Sequence, residues 1–256
     1  MTLLSRARES QRPNALVRDE MAVEMVERIG EEKLSGLRMG RHDEIALLMR
    51  MKRFDDQVRG FVARNPNGAV VHIGCGLDTR FQRVDNGSVE WFDIDLPAVT
   101  GVRERLIQVQ TGRYHCLGKS ILEDEWISEV IRCKPRSFMF VAEGVLEYFE
   151  QAQVKALVLK LKEHFPGCEL VCDVSTPFVI FLDNLHIWVR NIKAQIKWGE
   201  KNPKELESWG EGIRLLEGWN YYDNERAEFS KSVLLKVLGP LWKYSGIYRY
   251  RLGEGE

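Results

Sequence analysis

Two glycines flank a cysteine at Gly74-Cys75-Gly76, directly after the apolar run AVVHI at 69–73. A glycine turn leaving a strand lets backbone approach a ligand closely, because no Cβ intervenes. Such turns usually serve nucleotide-shaped molecules. Neither common template is complete, however. GxGxxG would need glycine at 79, where Thr79 stands, and GxGxG would need it at 78, where Asp78 stands. Carboxylates supply the complementary chemistry. Asp93 and Asp95 follow Gly76 by 17 and 19 residues, at the end of the next expected strand. A carboxylate there can accept both hydroxyls of a ribose; one of the pair could instead cap the next helix, which opens near Pro97. Glu143 directly follows the apolar run SFMFVA, where a carboxylate is either solvated or poised at a ligand. Gly144 permits a sharp turn beside it.

The elements that must hold these residues alternate regularly. The first 60 residues read helical, with Leu16, Val17, Met21, Met25, Val26 and Ile29 at three-to-four-residue spacing. Ile45, Leu48, Met51, Phe54, Val58, Phe61 and Val62 repeat the pattern. The turn NPNG at 65–68 ends it. Strands are expected at 69–74, 89–95, 114–117, 137–142 and 169–174, with helices at 99–110 and 151–165. Short apolar strands between helices imply an α/β fold, a parallel sheet with helices on both faces. Residues 176–213 break the rhythm and read as two apolar, tryptophan-rich helices, placed either to roof a ligand or to add core. A strand at IRLLEGWNYY, a helix at SKSVLLKVL stopped by Gly239-Pro240, and a strand at IYRYRL complete the chain.

Composition narrows the function. A chain of 256 residues, 44% hydrophobic and 29% charged, suits one globular domain. Its net charge of −1 gives no electrostatic reason to expect nucleic acid or an anionic membrane as partner. It has no run of about 18 apolar residues to span a bilayer. The N-terminus lacks the apolar region of a secretory signal, and Glu9, Asp19 and Glu20 argue against a transit peptide. A cytoplasmic location is expected. Cys75, Cys116, Cys133, Cys168 and Cys172 are odd in number, without CxxC, and Cys168 and Cys172 have no second ligand pair at zinc-finger spacing. Buried, reduced thiols and no metal are expected.

Five blocks together carry a resemblance: RARES (6–10) with Asp19, RMKRFDD (50–56), VVHIGCGLDTR (70–80), FDIDLP (92–97) and AEGVLEYF (142–149). In this order they resemble the leucine carboxyl methyltransferase family, more closely its bacterial branch of polyketide O-methyltransferases similar to the tetracenomycin enzyme. The resemblance covers roughly residues 5–175. It implies a class I, Rossmann-like methyltransferase fold, to which the N-terminal helices and the helical insertion after strand five read from the residues are added, and S-adenosylmethionine as cofactor. It further implies that Gly74 and Gly76 pass close to the donor's methionine moiety and Asp95 holds its ribose. Arg50 would pair with the donor carboxylate, with Arg53 as fallback and Arg8 assisting if the N-terminal segment folds over. Glu143 would lie near the donor amino group. Asp78 and Arg80 are expected to be a structural pair bracing the loop. Ser120-Ile121 stands where relatives often carry Asp-Leu, so Ile121 would pack on adenine and Ser120 offer a neutral hydrogen bond. His72 replaces a smaller residue and is expected to be packed and satisfied.

The resulting reading is one domain over 1–256. It comprises an N-terminal helical segment (1–64), a donor-binding core (65–175), a substrate roof (176–222) and a C-terminal helix and strand (223–256). The expected activity is S-adenosylmethionine-dependent O-methylation of a small-molecule carboxylate or hydroxyl. A carboxylate acceptor is already ionised and needs no general base; a phenol or alcohol must lose a proton. His186, and after it Asp183, are candidates, and Tyr148, Tyr221 and Tyr222 could shape an aromatic pocket. The alternatives are protein carboxyl methylation and a non-catalytic S-adenosylmethionine- or nucleotide-binding protein. An NAD oxidoreductase is disfavoured by Thr79.

Overall fold

The computed structural model describes residues 2–37, 40–133, 137–185, 195–221 and 244–254. The chain forms two compact units, Met1–Ser137 and Phe138–Glu256.

The first unit opens with three helices, α1 (Thr2–Ser10), α2 (Glu20–Ile29) and α3 (Arg41–Arg64). Asp19 caps α2 by accepting from the Ala22 N–H at 3.0 Å, which satisfies one of the helix's free donors. Leu3, Leu4 and Ala7 of α1 pack with Ala22, Met25 and Val26 of α2 in one buried cluster. Short strands then replace the helices. Strands β1 (Ala69–Ile73), β2 (Glu90–Asp95) and β3 (Tyr114–Gly118) run parallel in the order β3-β2-β1. All five residues of β1 are buried, as in a parallel strand covered on both faces. Between them lie α4 (Arg80–Val84) and α5 (Pro97–Leu106), and α6 (Glu125–Arg132) follows β3.

The second unit holds four strands in the order β4-β5-β7-β6: β4 (Phe138–Ala142), β5 (Cys168–Val174), β6 (Ile213–Asn220) and β7 (Gly246–Leu252). β4 and β5 are parallel, and β7 runs antiparallel to both β5 and β6. α7 (Gln151–His164) starts with a capping box between Glu150 and Gln153 and buries Val154, Leu157, Val158 and Leu161. α8 (Pro177–Leu185) leaves β5, and a 3-10 turn at Pro203–Trp209 leads to β6.

Several expectations change. The sheet is mixed, not parallel throughout: period-two alternation marks β7 as a strand but does not set its direction. The helix expected at 99–110 begins at Pro97 and ends at Leu106. α6 has no counterpart in the sequence reading, although Trp126, Ile127 and Val130 form its buried face. Of the two helices expected in 176–213, only α8 is α-helical among the described residues. The helix expected at SKSVLLKVL lies outside the described residues.

Candidate functional site

The loop after β1 folds back on the end of β2. Gly74 and Gly76 have φ of 63° and 51°, the left-handed region that a side chain resists. The Gly74 N–H donates to the Ile94 carbonyl at 2.7 Å, and the Gly76 N–H to Asp95 Oδ2 at 2.8 Å. Asp95 Oδ1 accepts the Leu96 N–H at 2.7 Å. Each carboxylate oxygen thus takes one backbone donor, and a carboxylate has about four acceptor sites, so capacity for two hydroxyls is left. Among the described residues, a Cβ added to Gly76 would meet no atom within 4 Å apart from its chain neighbours. The glycine therefore keeps a space open beside the carboxylate. Lys119 N–H donates to the Asp95 carbonyl at 2.9 Å, which sets Ser120-Ile121 beside this end of β2.

Buried arginines clamp the other side of the loop. Arg103 of α5 donates from Nη1 to the carbonyls of Gly76 (3.0 Å) and Asp78 (2.5 Å), and Arg6 Nη2 donates to that of Leu77 at 2.6 Å. Three successive carbonyls are thereby fixed. Arg103 also pairs with Asp93 through Nη2 and donates to the Tyr114 hydroxyl through Nε at 2.9 Å. Asp93 takes the Trp91 indole N–H and the Tyr114 hydroxyl as well. Asp93 is therefore a core strut and neither a ribose ligand nor a helix cap; the N-cap of α5 is Leu96, with no side-chain cap. Burial alone would raise the Asp93 carboxyl, but the Arg103 guanidinium, His72 and the Tyr114 hydroxyl together outweigh it and hold it below the usual range. Burial and the Asp93 charge push the Tyr114 hydroxyl far up.

Below the loop, residues of the resembling blocks join with Arg83 in one ionic network. Arg80 pairs with Asp55 (2.8 Å) and Asp78 (3.2 Å). Arg83 bonds Asp55 (2.8 Å), Asp78 (2.9 Å) and Asp19 (3.0 Å), and Arg6 bonds Asp19 at 2.8 Å. Thr79 Oγ1 donates to Asp19 at 2.5 Å. Three guanidiniums face three carboxylates, so the charges balance where desolvation would otherwise be prohibitive. Burial raises Asp55 and Asp78, but Arg83 and Arg80 outweigh it at both, and both lie below the usual range. The expected Asp78–Arg80 brace is thus present within a larger frame. Arg80 Nη1 lies 3.1 Å from His72 Nε2. Since guanidinium only donates, Nε2 accepts and His72 carries its proton on Nδ1, 3.5 Å from Asp93 Oδ1. His72 is packed as expected, but not satisfied as expected: its buried Nδ1 has no hydrogen-bond partner among the described residues.

The remaining candidates stand elsewhere. Arg50 is half-buried within α3. Arg8 is engaged by Glu31 (2.9 Å) and Glu44 (3.6 Å); it is Arg6, not Arg8, that carries α1 to the loop. Ser120 Oγ accepts the Leu122 N–H at 3.3 Å. Ile121 is buried, and its carbonyl accepts the Trp126 indole N–H at 3.3 Å. In the second unit, Glu143 is half-buried just after β4. Gly144, at φ 63°, donates its N–H to both oxygens of the buried Asp173, at 2.9 and 3.0 Å. Asp183, Tyr148 and Tyr221 are half-buried, while His186 and Tyr222 lie outside the described residues. Sequence reasoning missed Arg6, Asp19, Asp55, Arg83 and Arg103 as loop supports. Arg6, Asp19 and Asp55 belong to the resembling blocks, which is the signal available for them. Arg83 and Arg103 lie outside those blocks and carry no such signal.

Three comparisons bear on this arrangement. The model of the leucine carboxyl methyltransferase family matches residues 1–162. The tetracenomycin polyketide synthesis O-methyltransferase TcmP of Streptomyces glaucescens is 31% identical over 224 residues, covering 87% of this chain and 82% of the relative. The S-adenosyl-L-methionine-dependent methyltransferase dpfgK of Gibberella zeae is 25% identical, covering 85% of this chain and 79% of the relative. Among solved structures, a provisionally named methyltransferase of Thermobifida fusca superposes with a TM-score of 0.60 at 15% identity, covering 98% of this chain and 95% of that one. The α/β fold is Rossmann-like, as expected.

Proposed function

The chain belongs to the leucine carboxyl methyltransferase family and is an S-adenosylmethionine-dependent methyltransferase, and we propose that it methylates an oxygen of a small-molecule acceptor, a phenol or a carboxylate. The observation that carries this reading is the 31% identity to an O-methyltransferase of polyketide synthesis, spread over 87% of the chain.

The loop fits the donor. Asp95 has acceptor capacity left for the ribose hydroxyls, and Gly76 keeps open the space that a Cβ would fill. Gly74 and Gly76 would line the methionine side, with Arg50 at the donor carboxylate. Ser120 and Ile121 would flank the adenine. Bound there, the donor supplies an electrophilic methyl group. The chain's contribution is to align that group with the acceptor oxygen and exclude water. Charge disappears when an anionic oxygen takes the methyl, so a dry site favours the reaction over the separated reactants. The arginine clamps on the loop carbonyls hold the geometry in advance, and little reorganisation is then needed on binding.

Incubating the purified chain with S-adenosylmethionine and a panel of phenolic and carboxylic polyketide-like acceptors tests the proposal. Mass spectrometry should show one added methyl on oxygen, with S-adenosylhomocysteine formed in equal amount. Transfer confined to a protein carboxyl terminus would overturn it.

A further inference from the structure

At the opposite end of β2 from Asp95 lies a second group of residues. Glu90 opens β2, His115 is the second residue of β3, and Cys133 closes α6. Phe92 and His115 are register partners, and their rings stack at 4.6 Å. Glu90, two residues before Phe92, shares that face of the sheet. His115 Nε2 is 3.1 Å from Glu90 Oε2 and 3.9 Å from Cys133 Sγ. One ligand atom from each of the three lies within 4.8 Å of the others. We propose that Glu90, His115 and Cys133 form a binding site for a divalent transition-metal ion, best matched by Zn²⁺, with water completing the tetrahedron.

The spacing carries this inference. Zn–S bonds of about 2.3 Å and Zn–N or Zn–O bonds of about 2.0–2.2 Å place tetrahedral ligands about 3.4–3.6 Å apart. The 3.1 and 3.9 Å edges bracket that range, and the third lies within 4.8 Å. A thiolate, an imidazole and a carboxylate form a mixed set that suits zinc rather than magnesium or calcium. The C-terminal end of α6, which Cys133 caps, carries partial negative charge that favours a cation. Metal binding displaces the thiol proton to solvent, so affinity rises with pH.

The site is not catalytic. Glu90 and Asp95 are the first and last residues of β2, about 16 Å apart at roughly 3.3 Å per residue. An ion there ties strands β2 and β3 to α6, fastening the edge of the first unit's sheet.

Titrating the EDTA-stripped full chain with Zn²⁺ by calorimetry, and with Co²⁺ by absorption spectroscopy, tests the proposal. One equivalent of Zn²⁺ should bind, with proton release, and Co²⁺ should show a thiolate charge-transfer band with tetrahedral d–d bands. Cys133→Ser and His115→Ala should each weaken Zn²⁺ binding by about 100-fold or more, since each removes a direct ligand, and abolish the band. Cys116→Ser should change neither, and donor binding should be unaltered in all three. Undiminished Zn²⁺ binding in Cys133→Ser, or absence of the thiolate band, would overturn the assignment and leave an ordinary Glu90–His115 ion pair.

Discussion

Asp95 Oδ2 accepts the Gly76 N–H at 2.8 Å, so the carboxylate assigned to the ribose also fixes the glycine assigned to the methionine side. One substitution should therefore disturb both halves of the donor site. Asp95→Ala removes charged hydrogen bonds worth about 1.5–3 kcal/mol each, and affinity for S-adenosylhomocysteine should fall at least about 100-fold. Asp95→Asn keeps an acceptor and should lose less. Calorimetric titration measures both, and unchanged affinity in the alanine variant would refute the ribose assignment.

Gly76→Ala separates backbone strain from ligand space. The left-handed φ of 51° costs an L-residue about 1–2 kcal/mol, while nothing among the described residues obstructs the new Cβ. The variant should fold with that modest loss in denaturant titration. Its donor affinity should nonetheless drop about tenfold or more, because the methyl occupies the ligand's space.

The Arg103–Asp93 pair can be tested by a double-mutant cycle. Arg103→Met leaves Asp93 buried without its cation and should destabilise the first unit by about 3–5 kcal/mol. Asp93→Asn in the same chain should recover part of that loss, since the orphaned charge is gone. Equal stabilities of the Arg103→Met and double variants would contradict the coupling.

Acid should unfold the protein through the ionic frame. Asp55, Asp78 and Asp93 all have folded-state values below the ordinary carboxylate value. As pH falls through about 4, near the unfolded value, the unfolded chain therefore binds more protons than the folded one. Stability from these groups is complete above about pH 5 and is lost as pH falls toward their depressed folded values. The slope reaches about 1.4 kcal/mol per pH unit for each group. Urea titrations at about pH 6, 5, 4 and 3 should show the decline, and a flat profile would contradict it.

The strands were legible because β1, β4 and β5 are short, wholly or nearly wholly buried apolar runs bounded by turns. Gly74, Gly76 and Asp95 were legible because a strand fixes their order at one sheet end. What escaped was pairing through space. Arg83 meets Asp19 across 64 residues and Arg80 meets Asp55 across 25; no periodicity records such partners. Asp93 and Asp95 are the same residue type, two apart, and so share a face of β2. Only their surroundings tell them apart: Asp93 lies inside the strand against Arg103, while Asp95 ends it against the Gly76 N–H. Cys133 likewise departs from the expectation of buried thiols because it caps a helix that the sequence did not reveal.

The most direct measurement is calorimetric titration of the wild-type chain with S-adenosylmethionine, S-adenosylhomocysteine and NAD. Binding of the first two at one per chain, with none of NAD, is the expected result. NAD binding without either sulfur ligand would contradict the account.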